Sequence, residues 1–425
     1  MTELEALPGH ARGRVAPVAS ATGNGRVDVP EVAPARGHRV TVLTGFPRYN
    51  VHSVPEEYRG KLAMWEDQDG VRVRRVWTPH LPQHIPVARG LDHFGLALTY
   101  ALAGLGLERP DVLLLYSPPL PIGLAAGFLG RVFRCPFVLN VQDIFPQSAI
   151  DLQVLKQRAL IRFFERLERC LYRWADHITV HSEGNRANVA SKLGSPAKVT
   201  VVPNWIDTGF IRPGPRTNGF RGELGLGEEF VVSFAGTMGY SQDIDTVLAA
   251  ADVLRALPEI LFVLVGDGVE LPRLKEQAAR MRLQNVRWVP LQPRERYPAV
   301  LHASDVGLVT LHKDVSTPVV PSKLLSIMAA AKPVVASLPL TGDAPRIVEA
   351  AQCGLCVPPE DPERLAEAIL SLYDDRPLAE RMGKNGRDCI EAHFSATGAA
   401  ARYEELFQAL AKAGSRSSPR RGSDR

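Results

Sequence analysis

Three observations predict an α/β chain built from two doubly wound domains, each a parallel sheet wrapped by helices. From about residue 39 onward, short β-branched runs alternate with helical patterns, the rhythm of right-handed β-α-β units. The runs fall into two series, separated by the Gly- and Pro-rich stretch FIRPGPRTNGFRGELGLGEE, which reads as an interdomain linker. The length of 425 residues suits two or three domains of about 100 to 200 residues each. Hydrophobic residues make up 45% and charged residues 23%, a balance that excludes wholesale disorder. Lys+Arg against Asp+Glu is 50 to 46, a net +4, too small an excess to act as a footprint for nucleic acid.

The first series predicts strands at RVTVLT (39 to 44), VRVRRVW (71 to 77), DVLLLY (111 to 116), PFVLNV (136 to 141), HITVHS (177 to 182) and VTVVPN (199 to 204). The second predicts them at FVVSFAG (230 to 236), LFVLVGDG (261 to 268), VRWVP (286 to 290), DVGLVTL (305 to 311) and PVVAS (333 to 337). These give a first domain over 37 to 208, a linker over 209 to 228 and a second domain over 229 to 385. Helices over 386 to 413 could cross back to the first domain, and the polar tail 414 to 425 is expected to be disordered. Residues 1 to 36 read as an atypical segment of small residues and glycines in which no first strand is recognisable.

The apolar stretch Val112 to Gly130 holds Pro118, Pro119 and Pro121 and so reads as strand, loop and helix, not as a membrane span. The opening MTELEALPGHARGRV carries acidic residues where a secretory leader carries basic ones. With an odd count of five cysteines, this leads to an expectation of a cytoplasmic protein with reduced thiols.

In open parallel sheets ligands bind beyond the carboxyl ends of the strands. After one such strand, SFAGTMGYSQDIDTV places Gly236 and Gly239 ahead of an amphipathic helix. Glycines there let backbone N–H groups approach an anion at the helix start, or serve a tight strand-to-helix turn. VGDGVELPRLKE repeats the device at Gly266, Asp267 and Gly268, but Leu271 stands where a dinucleotide fingerprint has its third glycine. In VPSKLLSIMAAAKPVVAS a helix begins at Pro321 and Ser322 with Lys323 in its first turn. A cation beside free N–H groups is what a departing diphosphate needs, although an ordinary capped helix also fits. Asp143, in NVQDIFPQSAID directly after a strand, could orient a hydroxyl or stabilise positive charge on a sugar ring; a loop anchor or helix cap is the alternative. Cys353 and Cys356 form a C-x-x-C without a second ligand pair, which favours a structural role over zinc.

Placed on a helical wheel at about 100° per residue, Arg158, Arg162, Arg166, Arg169 and Arg173 form one stripe. Leu160, Phe163, Phe164, Leu167, Leu171 and Trp174 form the opposite face. This 155 to 174 helix could lie against anionic headgroups, each basic residue near the surface adding about 1 kcal/mol, or could pack its apolar face on a sheet.

In this order and spacing, ARGHRVTVLTGFPRYN, NVQDIFPQSAID, VVPNWIDTGFIRP, FAGTMGYSQDIDTVLAAA, LVGDGVELPRLKE, VPSKLLSIMAAAKPVVAS and CGLCVPPEDPERLAEAI resemble the retaining glycosyltransferases of family 4. PNWID and PSK are similar to the branch that builds exopolysaccharides and O-antigens, including colanic acid-type and N-acetylfucosamine transferases. The resemblance implies the GT-B arrangement, two Rossmann-like domains facing a central cleft, and retaining transfer from a nucleotide sugar without a metal or other cofactor. It places the donor on the second domain and the acceptor on the first. Gly236 to Gly239, with Thr237 among them, and Lys323 would face the diphosphate, the loop at Val289 and Pro290 the base, and Asp143 the reacting sugar and acceptor; Gln242, Gly266, Asp267, Gly268, Ser322 and Ser326 would complete the nucleotide-sugar site. The implied donor is a UDP-sugar in preference to a GDP-sugar. The implied acceptor is a lipid-linked saccharide at the inner membrane face.

Two departures accompany the resemblance. The paired glutamates of many members align with Pro318 and Ser326, and the diphosphate-gripping Arg and Lys with Thr237 and Gln242. The unrecognised first strand, central in such a sheet, would leave ladder hydrogen bonds unpaired. A non-catalytic nucleotide-sugar-binding relic is therefore the rival reading, and a nucleotide-sugar epimerase of the same architecture a third.

Overall fold

The computed structural model describes residues 14–18, 37–46, 56–68, 70–79, 86–151, 153–315 and 318–416. The first domain runs β1 (Arg14–Val18), β2 (Arg39–Gly45), β3 (Ala63–Gln68), β4 (Val71–Val76), α1 (Pro86–Gly104), β5 (Val112–Ser117), α2 (Ile122–Phe133), β6 (Phe137–Val141), α3 (Gln147–Asp151), α4 (Arg158–Trp174), β7 (His177–Val180), α5 (Glu183–Leu193) and β8 (Val199–Val201). The second runs α6 (Gly219–Glu223), β9 (Phe230–Ala235), α7 (Ile244–Val253), β10 (Ile260–Val265), α8 (Leu271–Met281), β11 (Val286–Val289), α9 (Tyr297–Ala303), β12 (Val306–Thr310), α10 (Ser322–Ala329), β13 (Val334–Ser337), α11 (Asp343–Ala351), β14 (Gly354–Val357), α12 (Pro362–Asp374) and α13 (Arg376–His393). The final helix is α14 (Ala396–Arg416).

The second sheet is ordered β11-β10-β9-β12-β13-β14 and the first β3-β4-β2-β1-β5-β6-β7-β8. With β3 set aside as an antiparallel edge strand, both follow the doubly wound order, reversing direction between β9 and β12 and between β1 and β5. Strands such as β9 and β10 are buried at every residue, as expected where helices cover both faces of a parallel sheet. Several helices start on side-chain caps: Ser182 accepts from Asn185 N, Asp243 from Thr246 N and Asp361 from Arg364 N, each satisfying an otherwise orphaned donor.

The structure corrects the reading of the N-terminus. The first strand is RVAPV, pairing in parallel with β2 through Val15 and Val40 and with β5 through Val15 and Val112. It escaped notice because it is five residues long and contains Pro17, a residue normally excluded from central strands for want of an N–H. The rest of residues 1 to 36 lies outside the described residues.

The segment 209 to 228 also differs from a free connector. Arg221 is buried and donates to the carbonyls of Ala303 (2.8 Å) and Glu229 (2.9 Å). Arg216 Nε reaches Asp305 Oδ1 at 2.7 Å, while Asp305 Oδ2 accepts from Val231 N at 2.8 Å. Phe220 packs with Val231 and Val263. Polar pins thus weld the segment to the second domain, which is why apolar periodicity did not reveal it.

At the other end, α14 lies on the first domain. Tyr403 is buried with Val112, Leu114, Val138 and Val202, and its hydroxyl meets the Asn140 amide and Thr179 Oγ1. The helix continues through Arg416, so its last turn occupies positions expected to be disordered; 417 to 425 lie outside the described residues. Tyr403→Ala should lower stability by about 3 to 5 kcal/mol through lost burial, and Tyr403→Phe by about 1 to 3 kcal/mol through an unpaired Asn140 amide. Urea midpoints of the two variants check the ranking.

Candidate active site

The second domain's site forms at the carboxyl ends of β9, β10 and β11 and at the start of α10. Gly236 has φ +148°, and a Cβ there would lie 2.5 Å from Lys323 Cε, so glycine lets the lysine stem cross the loop. Lys323 Nζ donates to Gln242 Oε1 at 3.1 Å and sits 4.8 Å from the centre of the Phe234 ring. Its hydrogen-bonded partner is a neutral amide, not a carboxylate, and burial pushes its pKa down to about 8. A desolvated ammonium without a counter-charge favours an anionic ligand.

The second glycine loop is the support of the first. A Cβ on Gly266 would lie 1.9 Å from the Gly236 oxygen, and one on Gly268 2.2 Å from the Met238 oxygen. Backbone bonds stitch the loops together: Gly236 N to Val265 O (2.9 Å), Met238 N to Asp267 O (2.8 Å) and Glu270 N to Met238 O (3.2 Å). Asp267 Oδ1 accepts from Gly268 N at 2.7 Å. Thr237 is exposed on the loop, with Gly239 half-buried behind it. Val289 is buried at the end of β11, Gly266 N bonding its carbonyl at 3.0 Å, and Pro290 is exposed just beyond. Ser322 is exposed in the first turn of α10, whereas Ser326 is buried and donates to Ser322 O at 3.1 Å. Gly236, Gln242 and Lys323 are therefore brought together, with Gly266 and Gly268 beneath the loop that holds them.

In the first domain, Asp143 follows β6. Its side chain reaches solvent, yet the protein around it raises its pKa by desolvation, partly opposed by the nearby His181. His181, at the end of β7, is buried, and its Nε2 lies 2.8 Å from the Gln142 carbonyl and 2.7 Å from the Asn185 amide. Burial lowers its pKa against the pull of the Gln142 bond and the charges of Asp143 and Asp343.

The two carboxyl edges face each other. Gly184 N, in the first turn of α5, donates to Asp343 Oδ1 of α11 at 3.1 Å, and a Cβ on Gly184 would lie 2.8 Å from Pro318. Sequence reasoning missed both His181 and Asp343. The signal for His181 was its place at the carboxyl end of HITV; Asp343 had none beyond starting a helix after PVVAS.

Cys353 is fully buried and Cys356 lies in β14. Burial pushes their thiols up to about 12 and 11, and among the described residues no group of His, Cys, Asp and Glu is placed to hold a metal ion. On α4, Leu171 is buried while Leu160, Phe163 and Trp174 are exposed. Arg131 stacks 4.7 Å from the Trp174 ring, and Phe163 meets Phe94 of α1 at 6.1 Å. No described helix is long and apolar enough to cross a membrane.

Comparison with known proteins shows the family. Residues 31–205 match the glycosyl transferase 4-like domain, and residues 218–388 the glycosyl transferases group 1 family. The chain is 28% identical over 264 residues to a probable glycosyltransferase, WbjE, of Pseudomonas aeruginosa, covering 62% of this chain and 66% of that one. It is 25% identical over 362 residues to the putative colanic acid biosynthesis glycosyl transferase WcaI of Escherichia coli K12, covering 82% and 88%. In fold it is similar to sucrose-phosphate synthase from Thermosynechococcus elongatus, with a TM-score of 0.73 at 20% identity over 95% of this chain and all of that one. It is likewise similar to Anabaena HepE in complex with UDP, with a TM-score of 0.69 at 17% identity over 94% of this chain and all of that one. With one model on each domain, and the two leaving unmatched only the ends and residues 206–217, the chain belongs to the family 4-like, group 1 glycosyltransferases and has their GT-B fold.

Proposed function

We propose that this glycosyltransferase moves a sugar, with retained configuration, from a UDP-sugar to a lipid-linked saccharide during assembly of a cell-surface polysaccharide. The observation that carries the reading is Lys323, a half-buried, desolvated cation whose partners are an amide and an aromatic ring, at a helix start beside the Gly236 loop. The diphosphate supplies the missing counter-charge, and developing charge on the leaving phosphate strengthens the contact as the bond to the sugar breaks. Gly236, Thr237, Gly239, Gln242 and Ser322 surround that group in this reading, Gly266, Asp267 and Gly268 hold the loop to it, Ser326 lies behind Ser322, and Val289 and Pro290 border the base. Asp143 stabilises positive charge on the sugar ring. The acceptor's proton passes to the leaving phosphate oxygen, so no separate strong base is required.

The name of WcaI supports a polysaccharide product, and the UDP held by HepE supports the choice of nucleotide. Exposed Leu160, Phe163 and Trp174 on α4, with the arginine stripe beside them, support contact with an anionic cytoplasmic leaflet where a lipid-linked acceptor would be met. The rival reading, a binding relic, loses one of its two motives because β1 is in place; the absence of carboxylates at Pro318 and Ser326 is the other.

The test is release of nucleoside diphosphate from UDP- and GDP-sugars by the purified chain, with and without a lipid-linked acceptor extract. Acceptor-dependent release from UDP-sugars is expected; saturable binding without release in any extract would favour the relic. Lys323→Ala should reduce kcat about 10² to 10³-fold. The pH profile should lose activity on the acid side, because Asp143 acts as a carboxylate and its folded pKa is raised: protonation sets in at a higher pH than for an ordinary aspartate. Asp143→Asn should remove that acid limb along with most of the rate.

A further inference from the structure

Behind Asp143 lies a group that the proposed chemistry does not use. His181 is 6% exposed and Asp343 7% exposed, and they come from opposite domains. Because a carbonyl oxygen only accepts, we assign the proton to His181 Nε2 for the 2.8 Å contact to Gln142, with the Asn185 amide turned so that its otherwise partnerless oxygen, not its NH2, faces the same nitrogen. The Nδ1 atom of the neutral ring is then a bare acceptor, and it is buried without a hydrogen-bond partner; so is Asp343 Oδ2. Two partnerless acceptors at a domain seam are costly as they stand. A proton on Nδ1 would remove the ring's bare acceptor and place a positive charge near Asp343.

The Gln142 carbonyl belongs to the peptide that leads directly into Asp143, and that turn is otherwise tied to the sheet by Gln142 N to Ser117 O at 2.9 Å. His181 therefore grips the peptide carrying the carboxylate from behind. The charges facing the ring are Asp143 from the loop after β6 and Asp343 from the start of α11. Those of the helix that follows it, Glu183 and Arg186 of α5, are paired with each other at 3.2 Å. Asp343 reaches this place by docking on Gly184 N across the cleft.

We propose that His181 is a positioning residue for Asp143 and the point at which closure of the cleft is felt there: it holds the Gln142–Asp143 turn, and Asp343, delivered by closure to the start of α5, sets its charge. The role given to Asp143 rests on the transferase reading. With the cleft shut, the charges of Asp143 and Asp343 oppose the effect of burial and raise the ring's affinity for a proton. With the cleft open, one carboxylate is withdrawn and the neutral ring is favoured. Substrate binding that closes the domains thereby alters the field around Asp143.

The test reads the ring itself. In protein labelled with nitrogen-15 histidine, the His181 resonance, identified by its loss in His181→Gln, should titrate below the ordinary value of 6.5. Asp343→Asn keeps an oxygen for Gly184 N and removes the charge; it should move that midpoint further down and leave the other histidines in place. An unmoved midpoint overturns the proposal, and since the titration is read on resting protein, it does so whether or not the chain proves to be a transferase. In turnover, His181→Ala should lower kcat about tenfold or more with the donor KM little changed. His181→Gln, which can carry an amide N–H to the same carbonyl, should recover most of that loss. Equal losses in the two variants, with an unaltered pH profile, would reduce His181 to a packing residue and likewise overturn the proposal.

Discussion

Backbone pressed on backbone is the constraint from which the second domain's glycine loops are built. The carbonyl oxygens of Gly236 and Met238 occupy the positions where side chains on residues 266 and 268 would begin, so the loops after β9 and β10 touch with no side chain between them. Only glycine, which lacks a Cβ and tolerates the positive φ found at all three glycines, permits that approach. The stacking fixes the height of the first loop above the sheet, and the first loop in turn leaves a groove for the stem of Lys323. A cation is thereby held in a partly desolvated place where, without an anion, its charged form is disfavoured. In the proposed reading, the cost of desolvating that charge is offset by contact with a diphosphate.

Across the cleft the same principle runs with the opposite sign. Asp143 has its charged form disfavoured by desolvation, and a buried neutral histidine stands behind it. One wall thus offers an under-compensated cation and the other an under-compensated carboxylate, the polarity suited to a substrate that is negative at its diphosphate and turns positive at its sugar ring during transfer. The domains are tied by two strands of chain running side by side: Ile206 N bonds Phe394 O at 2.9 Å and Ile206 bridges Ser395. Arg387 adds hydrogen bonds to the carbonyls of Thr208 and Ile211. At the mouth, Asp343 on Gly184 is a contact that domain separation would break.

Much of the architecture was legible because parallel strands covered on both faces read as continuous apolar runs; ILFVLV and FVVSFA admit little else. What escaped did so for physical reasons. RVAPV is short and interrupted by a proline, AMWEDQ in β3 lies at an exposed edge and alternates polar residues, and GLCV in β14 was read for its cysteine spacing instead of its pairing with β13. The attachment of residues 209 to 228 to the second domain is made by Arg216 and Arg221, whose hydrogen bonds carry no periodic signal. In the site, the glycines and Lys323 were visible from their places beside strands and helix starts, but which glycine supports and which faces the ligand depends on contacts between loops thirty residues apart. His181 and Asp343 are farther apart still, and only the meeting of the two sheet edges makes them neighbours.

The central claim, that Lys323 is an under-compensated cation awaiting a diphosphate, is tested most directly by calorimetric titration of UDP into the purified chain near pH 8 in buffers of different ionisation heats. Because burial brings the Lys323 pKa down to about 8 and an adjacent anion raises it, the account predicts uptake of a substantial fraction of a proton on binding, lost in Lys323→Met together with much of the affinity. UDP that binds without proton uptake, or with the same uptake in the variant, would contradict it.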